Sequence, residues 1–124
     1  MDSRHDNRLP RCGRLPAASY PAVFARNASF PGRYMVLCLG PASEAPRAQL
    51  GVATSRRTLG KAVDRNRARR LMREAFRTQQ DALSPGTRLV LVARRRIAED
   101  GGLETVSRDF RILCTRAGIW NAPL

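Results

Sequence analysis

The sequence predicts a single-domain α/β sandwich of the α+β class, and three observations predict it. The chain has 124 residues, 43% of them apolar, enough for one modest core and not for two. Three short β-rich runs, at residues 33–39, 49–55 and 88–93, stand between loops and a helical pattern. Helical periodicity precedes, interrupts and follows them, so the order is α-β-β-α-β-α, which no helix bundle produces.

Taken in order, residues 1–13 (MDSRHDNRLPRCG) hold little apolar content and predict a disordered lead-in. The domain is expected over residues 14–118, with a short tail at 119–124. Ser19 fits an N-cap, and Pro21 is tolerated in the first turn, where its missing N–H has no partner anyway. Tyr20, Val23 and Phe24 then fall on one face of a short helix ending near Asn27. Phe30-Pro31-Gly32 predicts a turn. Residues 33–39 (RYMVLCL) predict a strand, and residues 40–47, with two prolines and a glycine, a loop. Residues 49–55 predict a second strand, antiparallel to the first across that loop. A basic connection at 56–61 leads into the longest helical pattern, residues 62–83, stopped by Ser84-Pro85-Gly86. Residues 88–93 (RLVLVA) are apolar enough for a strand buried on both faces. Gly101-Gly102 breaks the chain before a last helix at 105–117. Val106, Phe110, Leu113 and Ile112 are expected to face inward there, with Gly118 as its cap.

Composition removes several functions. No apolar run approaches the ~20 residues of a membrane span, and the polar start lacks the apolar stretch of a secretory signal. A soluble cytoplasmic protein is expected, without a membrane partner. Cys12, Cys38 and Cys114 form an odd set with no C-x-x-C spacing, and His5 is the one histidine. That excludes structural zinc and points to reduced thiols. The ten acidic residues are scattered, so neither a two-metal nuclease nor a histidine acid–base pair assembles. No phosphate loop or nucleophile motif occurs. The polypeptide reads as a binder, not a catalyst, with no metal site and no catalytic residue of its own. Its 23 basic residues against 10 acidic ones give a net charge of +13, which draws polyanions: RNA, DNA or an anionic membrane surface.

The long helix narrows the choice. At about 100° per residue, Ala68, Leu71, Met72, Ala75, Phe76, Ala82 and Leu83 share one arc. Arg65, Arg69, Arg73 and Arg77 form an i, i+4 row along its edge, Asn66 and Arg70 flank the row, and Arg67 points away. Charged helix faces are ordinarily just solvated, but such faces alternate signs, gaining about 0.2–0.5 kcal/mol per pair. This one stacks like charges, and Glu74 is the one acid between Asp64 and Asp81. Such self-repulsion points to an anionic partner. Arginine suits phosphate because its planar fork donates two parallel bonds. Arg56, Arg57 and Lys61 extend the basic surface towards the helix N-terminus, itself a natural phosphate site.

At residues 65–77 the string is RNRARRLMREAFR, preceded by Ser55-Arg56-Arg57 and Gly60-Lys61-Ala62-Val63. It resembles the signature of the bacterial ribonuclease P protein component, R-N-R-x-[KR]-R-x-x-R-E-x-F-R. The resemblance runs from the aromatics Tyr20 and Phe24 through the long helix to LVLVARR and the closing helix. It implies an α-β-β-β-α-β-α fold with a mixed central sheet and a left-handed β-α-β crossover, although such crossovers are right-handed in ~98% of cases. The extra strand is expected within residues 47–55. The implied function is assistance to a catalytic RNA. Family members bind the RNA subunit of ribonuclease P, and the holoenzyme removes the 5′ leader of precursor tRNA. The RNA cleaves with magnesium, which it mainly binds itself, leaving a 5′-phosphate on the tRNA; no organic cofactor is implied. The resemblance assigns the RNA subunit to Arg65, Asn66, Arg67, Arg69, Arg70 and Arg73, with Arg56, Arg57 and Lys61 beside them, in a 1:1 complex. It assigns the leader to a cleft holding Tyr20, Phe24, Val36 and Cys38. Base stacking there is worth about 1–3 kcal/mol per base, while core packing is the other account of the two aromatics. Family members often carry an aromatic where this chain has Cys38, a departure that removes one stacking platform. A basic ribosomal or ribosome-assembly protein would share the charge and size, and the arginine-row signature separates the two. A free-standing nuclease would need cleavage by the polypeptide alone. A DNA-binding module would need a paired recognition helix, which nothing here resembles.

Overall fold

The computed structural model describes residues 13–121. In order these residues form α1 (Tyr20–Arg26), β1 (Ala28–Pro31), β2 (Met35–Leu39), β3 (Gln49–Ala53), α2 (Ala62–Arg77), β4 (Arg88–Ala93), α3 (Arg96–Asp100) and α4 (Leu103–Arg116). The four strands make one mixed sheet in the order β1-β2-β4-β3. β1–β2 and β2–β4 are antiparallel, whereas β3 and β4 are parallel and joined through α2. The α-β-β-β-α-β-α order implied by the resemblance is present, with α3 as an unexpected short addition.

Two strand expectations need correction. The extra strand is β1, not part of residues 47–55. Pro31 marks a turn only by composition: β1 is an edge strand, where a missing N–H breaks no ladder, and its Phe30 packs against the core. The turn falls one step later, where the Gly32 amide donates to Met35 O at 2.8 Å. Nor does β3 pair with β2. Both edges of β2 are taken, by β1 and β4, and β3 lies beside β4 with Leu50 opposite Leu89 and Val52 opposite Leu91. That register puts Leu50, Val52, Leu89 and Leu91 on one face.

The side chains alternate accordingly. Met35, Leu37, Leu50, Leu89 and Leu91 meet Ala68 and Met72 of α2 and Leu113 of α4 in the main core. Phe76 and Phe110 cross edge to face there, 6.2 Å apart. On the other face Val90 packs with Val23 of α1 and Leu15. α1 is short and ends at Asn27, which takes the left-handed conformation (φ 58°) that asparagine tolerates. It covers only part of the sheet.

α2 ends at Arg77, short of the expected Leu83. Thr78 Oγ1 donates to the Glu74 and Ala75 carbonyls, and Gln79 Nε2 to those of Ala75 and Ser107. A 3₁₀ turn, Gln80–Ala82, then carries Leu83 into the core. In α4, Val106, Phe110 and Leu113 are buried as expected, but Ile112 is 51% exposed. Asp109 and Cys114 take the inward positions instead. The packed body also continues past Gly118: Ile119 is buried, Trp120 bridges to Leu83, and the Asn121 amide donates to Ala82 O at 2.7 Å. Of the expected lead-in at residues 1–13, residues 1–12, including His5 and Cys12, lie outside the described residues, as do residues 122–124, while Gly13 is described and buried. Among the described residues no helix is long and apolar enough to cross a membrane.

Candidate RNA interface

The basic turn before α2 is a built element. Leu59 is buried, its amide donates to Ser55 O at 2.9 Å, and the Ser55 hydroxyl bonds Thr58 through both backbone and side chain. Arg65 Nη1 reaches back from the helix to Leu59 O and Gly60 O, both at 3.0 Å. The turn therefore presents exposed Arg56, Arg57 and Lys61 at a fixed place beside the start of α2. Lys61 is the N-cap residue and makes no side-chain cap bond, so no capping side chain occupies the first-turn amides.

Along α2, Arg65, Arg69 and Arg73 are half-buried on one flank, and Asn66 and Arg70 are exposed next to them. Arg69 Nη1 donates to Asn66 Oδ1 at 3.0 Å. Arg77, last of the row, is held bidentately by Glu74. Arg73 shares a cavity of about 550 Å³ with Tyr20, Leu50, Val52 and Arg14. Burial first, then the like charges of Arg69 and Arg14, pull its pKa below the ordinary arginine value. Arg14 was not among the expected site residues. It arrives because the chain before α1 runs beside β3, with the Leu15 amide donating to Leu50 O at 2.9 Å. Its position depends on that long-range pairing, which leaves no local signal.

Arg67 is the member of the expected set that the structure keeps apart. Its guanidinium turns to the other flank of α2, with Nη2 2.6 Å from Gly101 O and Nη1 3.4 Å from Ile97 O. There it fastens the end of α3 to α2.

The sheet face beside α1 forms a second concave surface. Phe24, Val36 and Cys38 come together with Val23, Asn27 and Val92 around a cavity of about 290 Å³. The Phe24 ring is 45% exposed and walls it on one side, while burial pushes the Cys38 thiol up. Tyr20 behaves differently. Its ring lies where a Cβ on Gly51 would come within 2.4 Å, and its hydroxyl accepts the Val52 amide at 3.0 Å. Tyr20 thus anchors α1 to β3, and its edge-to-face contact with Phe24, 6.4 Å between centroids, holds the more exposed ring in place. Among the described residues no group of three or more His, Cys, Asp or Glu gathers as a metal would require.

Comparison with known proteins supplies the context. The family model for ribonuclease P matches residues 9–118. The ribonuclease P protein component of Geobacillus kaustophilus is 32% identical over 100 residues, covering 81% of this chain and 82% of that protein. That of Pseudomonas paraeruginosa is 35% identical over 99 residues, covering 79% and 68%. Among solved structures, the RNase P protein of Staphylococcus aureus superposes with a TM-score of 0.75 at 21% identity, over 88% of this chain and 98% of that one. The Thermotoga maritima protein gives 0.73 at 25% identity, over 83% and 96%. The match decides against the ribosomal-protein alternative. The family model spans most of the chain and the fold is shared, and the protein belongs to the ribonuclease P protein family, as an RNA-binding subunit of the ribonucleoprotein that processes tRNA 5′ ends.

Proposed function

We propose that this subunit works through two surfaces, with the arginine flank of α2 on the RNA subunit and the α1–sheet groove on the single-stranded leader of precursor tRNA. One observation carries the reading: Arg65, Arg69 and Arg73 line one flank of α2 in like charge, with Arg73 partly buried beside Arg14 and Arg69. A polyanion offsets that repulsion, and each neutralised phosphate releases counterions. Asn66 and Arg70, with Arg56, Arg57 and Lys61 at the helix start, widen the same contact. Arg67 stands apart from that flank, bonded to the carbonyls of Ile97 and Gly101 on the other side of α2. In the groove, Phe24 offers its ring to a leader base over the floor of Val36, Cys38 and Val92, and Tyr20 acts by fixing α1.

The polypeptide positions and neutralises, while bond cleavage falls to the RNA in a 1:1 cytoplasmic complex. Among the described residues the carboxylates do not gather as a metal would require, and we assign magnesium to the RNA, with no step of the protein's chemistry routed through it. The test is charge reversal of Arg65, Arg69 and Arg73 to Glu. Binding to ribonuclease P RNA should weaken, and each lost phosphate contact should lower the log–log salt slope by about 0.7–0.9. An unchanged slope would remove α2 from the interface.

A further inference from the structure

The arginines of α2 are not the only ones the fold gathers. Three more guanidiniums converge on the turn between β1 and β2, at the sheet edge opposite β3. Arg116 Nη1 donates to Pro31 O and Arg94 Nη1 to Gly32 O, each at 2.9 Å. Arg33 lies 6.0 Å from the centre of the Tyr34 ring. The turn itself is locked by α4: Asp109 accepts the Arg33 amide at 3.1 Å and the Tyr34 amide at 2.9 Å. A guanidinium has five N–H donors, so tethering one nitrogen to a turn carbonyl leaves the others in a fixed orientation. Side-chain freedom is then lost before a ligand arrives, which favours binding.

The surface continues along α4. Going around the helix at about 100° per residue, Arg116, Ile112, Arg108, Thr115 and Arg111 follow one another on the side turned away from α2. They line a shallow depression of about 390 Å³. The nearby acids are committed or open to water. Asp109 serves the turn, and Asp100 is bonded twice by Arg96. Glu104 meets Arg108 at 3.7 Å with both side chains largely exposed. The face keeps a positive excess, and the exposed Ile112 at its centre suits contact with a sugar edge.

We propose that the β1–β2 turn and the outer face of α4 form a second RNA-binding surface, which takes the phosphates of an RNA segment other than the one held by α2. The proposal rests on the α2 reading above and extends it. β1 and β3 are three strand spacings apart, about 15 Å, so phosphates can be engaged at both sheet edges at once. Two RNAs offer the same chemistry, the ribonuclease P RNA and the body of precursor tRNA.

The test uses R33Q/R108Q/R111Q, which spares the two arginines that hold the turn. One arm measures affinity for ribonuclease P RNA against salt, and the other measures affinity of the assembled holoenzyme for precursor tRNA against salt. The slope should fall by about 2 in one arm, at 0.7–0.9 per contact, and the arm affected identifies the RNA. Unchanged slopes in both arms overturn the proposal. R69Q/R73Q serves as the α2 control: if it also leaves the first arm unchanged, the reading of α2 has failed as well. If the free protein sediments as a dimer that the triple variant dissociates, the face joins two copies of the chain and the RNA assignment is overturned.

Discussion

Asp109→Ala removes one side chain and leaves two backbone donors without an acceptor. The carboxylate accepts the Arg33 and Tyr34 amides at 3.1 and 2.9 Å, joining α4 to a turn some 75 residues earlier. Hydrogen bonds to a charged group contribute about 1.5–3 kcal/mol each, which bounds the loss at about 3–6 kcal/mol. Two effects reduce it. The bond to Arg33 is only part-buried, so water can replace the lost acceptor there, and deleting a 7% exposed carboxylate removes its own desolvation cost. A net loss of about 2–4 kcal/mol follows, a large part of the ~5–15 kcal/mol that holds a small domain together. Asp109→Asn keeps one acceptor and should lose about half as much. Urea unfolding reads both: with a slope near 2 kcal/mol/M, the alanine midpoint falls by about 1–2 M at unchanged slope. A loss under about 1 kcal/mol for alanine, or equal losses for alanine and asparagine, would mean that α4 does not hold the turn through this carboxylate.

Other expectations follow from the same geometry. Phe24→Ala, at an exposed ring, should leave the fold intact and weaken binding of leader-bearing tRNA more than mature tRNA; equal weakening in a paired titration would return Phe24 to a packing role. Cys38→Tyr restores an aromatic to the groove floor and should raise leader affinity roughly 5- to 150-fold, the equivalent of about 1–3 kcal/mol of stacking; no change would exclude a base from that position. Burial pushes the Cys114 thiol up, so alkylation at neutral pH should spare Cys114 until denaturant is added, and labelling of the native protein by mass spectrometry would contradict its placement in the core. The bidentate Arg77 bond holds the Glu74 carboxyl below its usual range. Its contribution is therefore present above about pH 4.3 and lost as acid protonates it. Because the Arg77 side chain is 45% exposed, Glu74→Gln should cost under about 1 kcal/mol at pH 7, and a larger loss by urea unfolding would contradict that.

The elements that were legible in the sequence are those whose signal is local. The α2 periodicity placed Ala68, Met72, Ala75 and Phe76 inward, and all four are buried. The RLVLVA run is β4, bounded as expected and buried on both faces. What escaped depends on partners far along the chain. β1 is four residues with a proline at its end, and only the β2 edge makes it a strand. The parallel seating of β3 was hidden because adjacency suggested a hairpin, while the pairing with Leu89 and Leu91 lies some 40 residues away. Ile112, expected inward, is exposed, and α4 buries Asp109 instead, where it accepts two amides of the β1–β2 turn, a partner some 75 residues away that leaves no local signal. For the site, the helical wheel separated Arg67 from the row, which is how the structure places it, whereas the family signature grouped the two. Arg14 was out of reach for the same reason as β3.

The central claim is that this chain promotes tRNA 5′ processing as a partner of a catalytic RNA, and reconstitution at low magnesium tests it most directly. The purified protein, a bacterial ribonuclease P RNA and a precursor tRNA are combined, and leader release is scored with each component omitted in turn. The account predicts no cleavage by the protein alone, weak cleavage by the RNA alone, and a steep rise when the two are mixed. Cleavage by the polypeptide without RNA, or no stimulation by a protein that binds the RNA tightly, would contradict it.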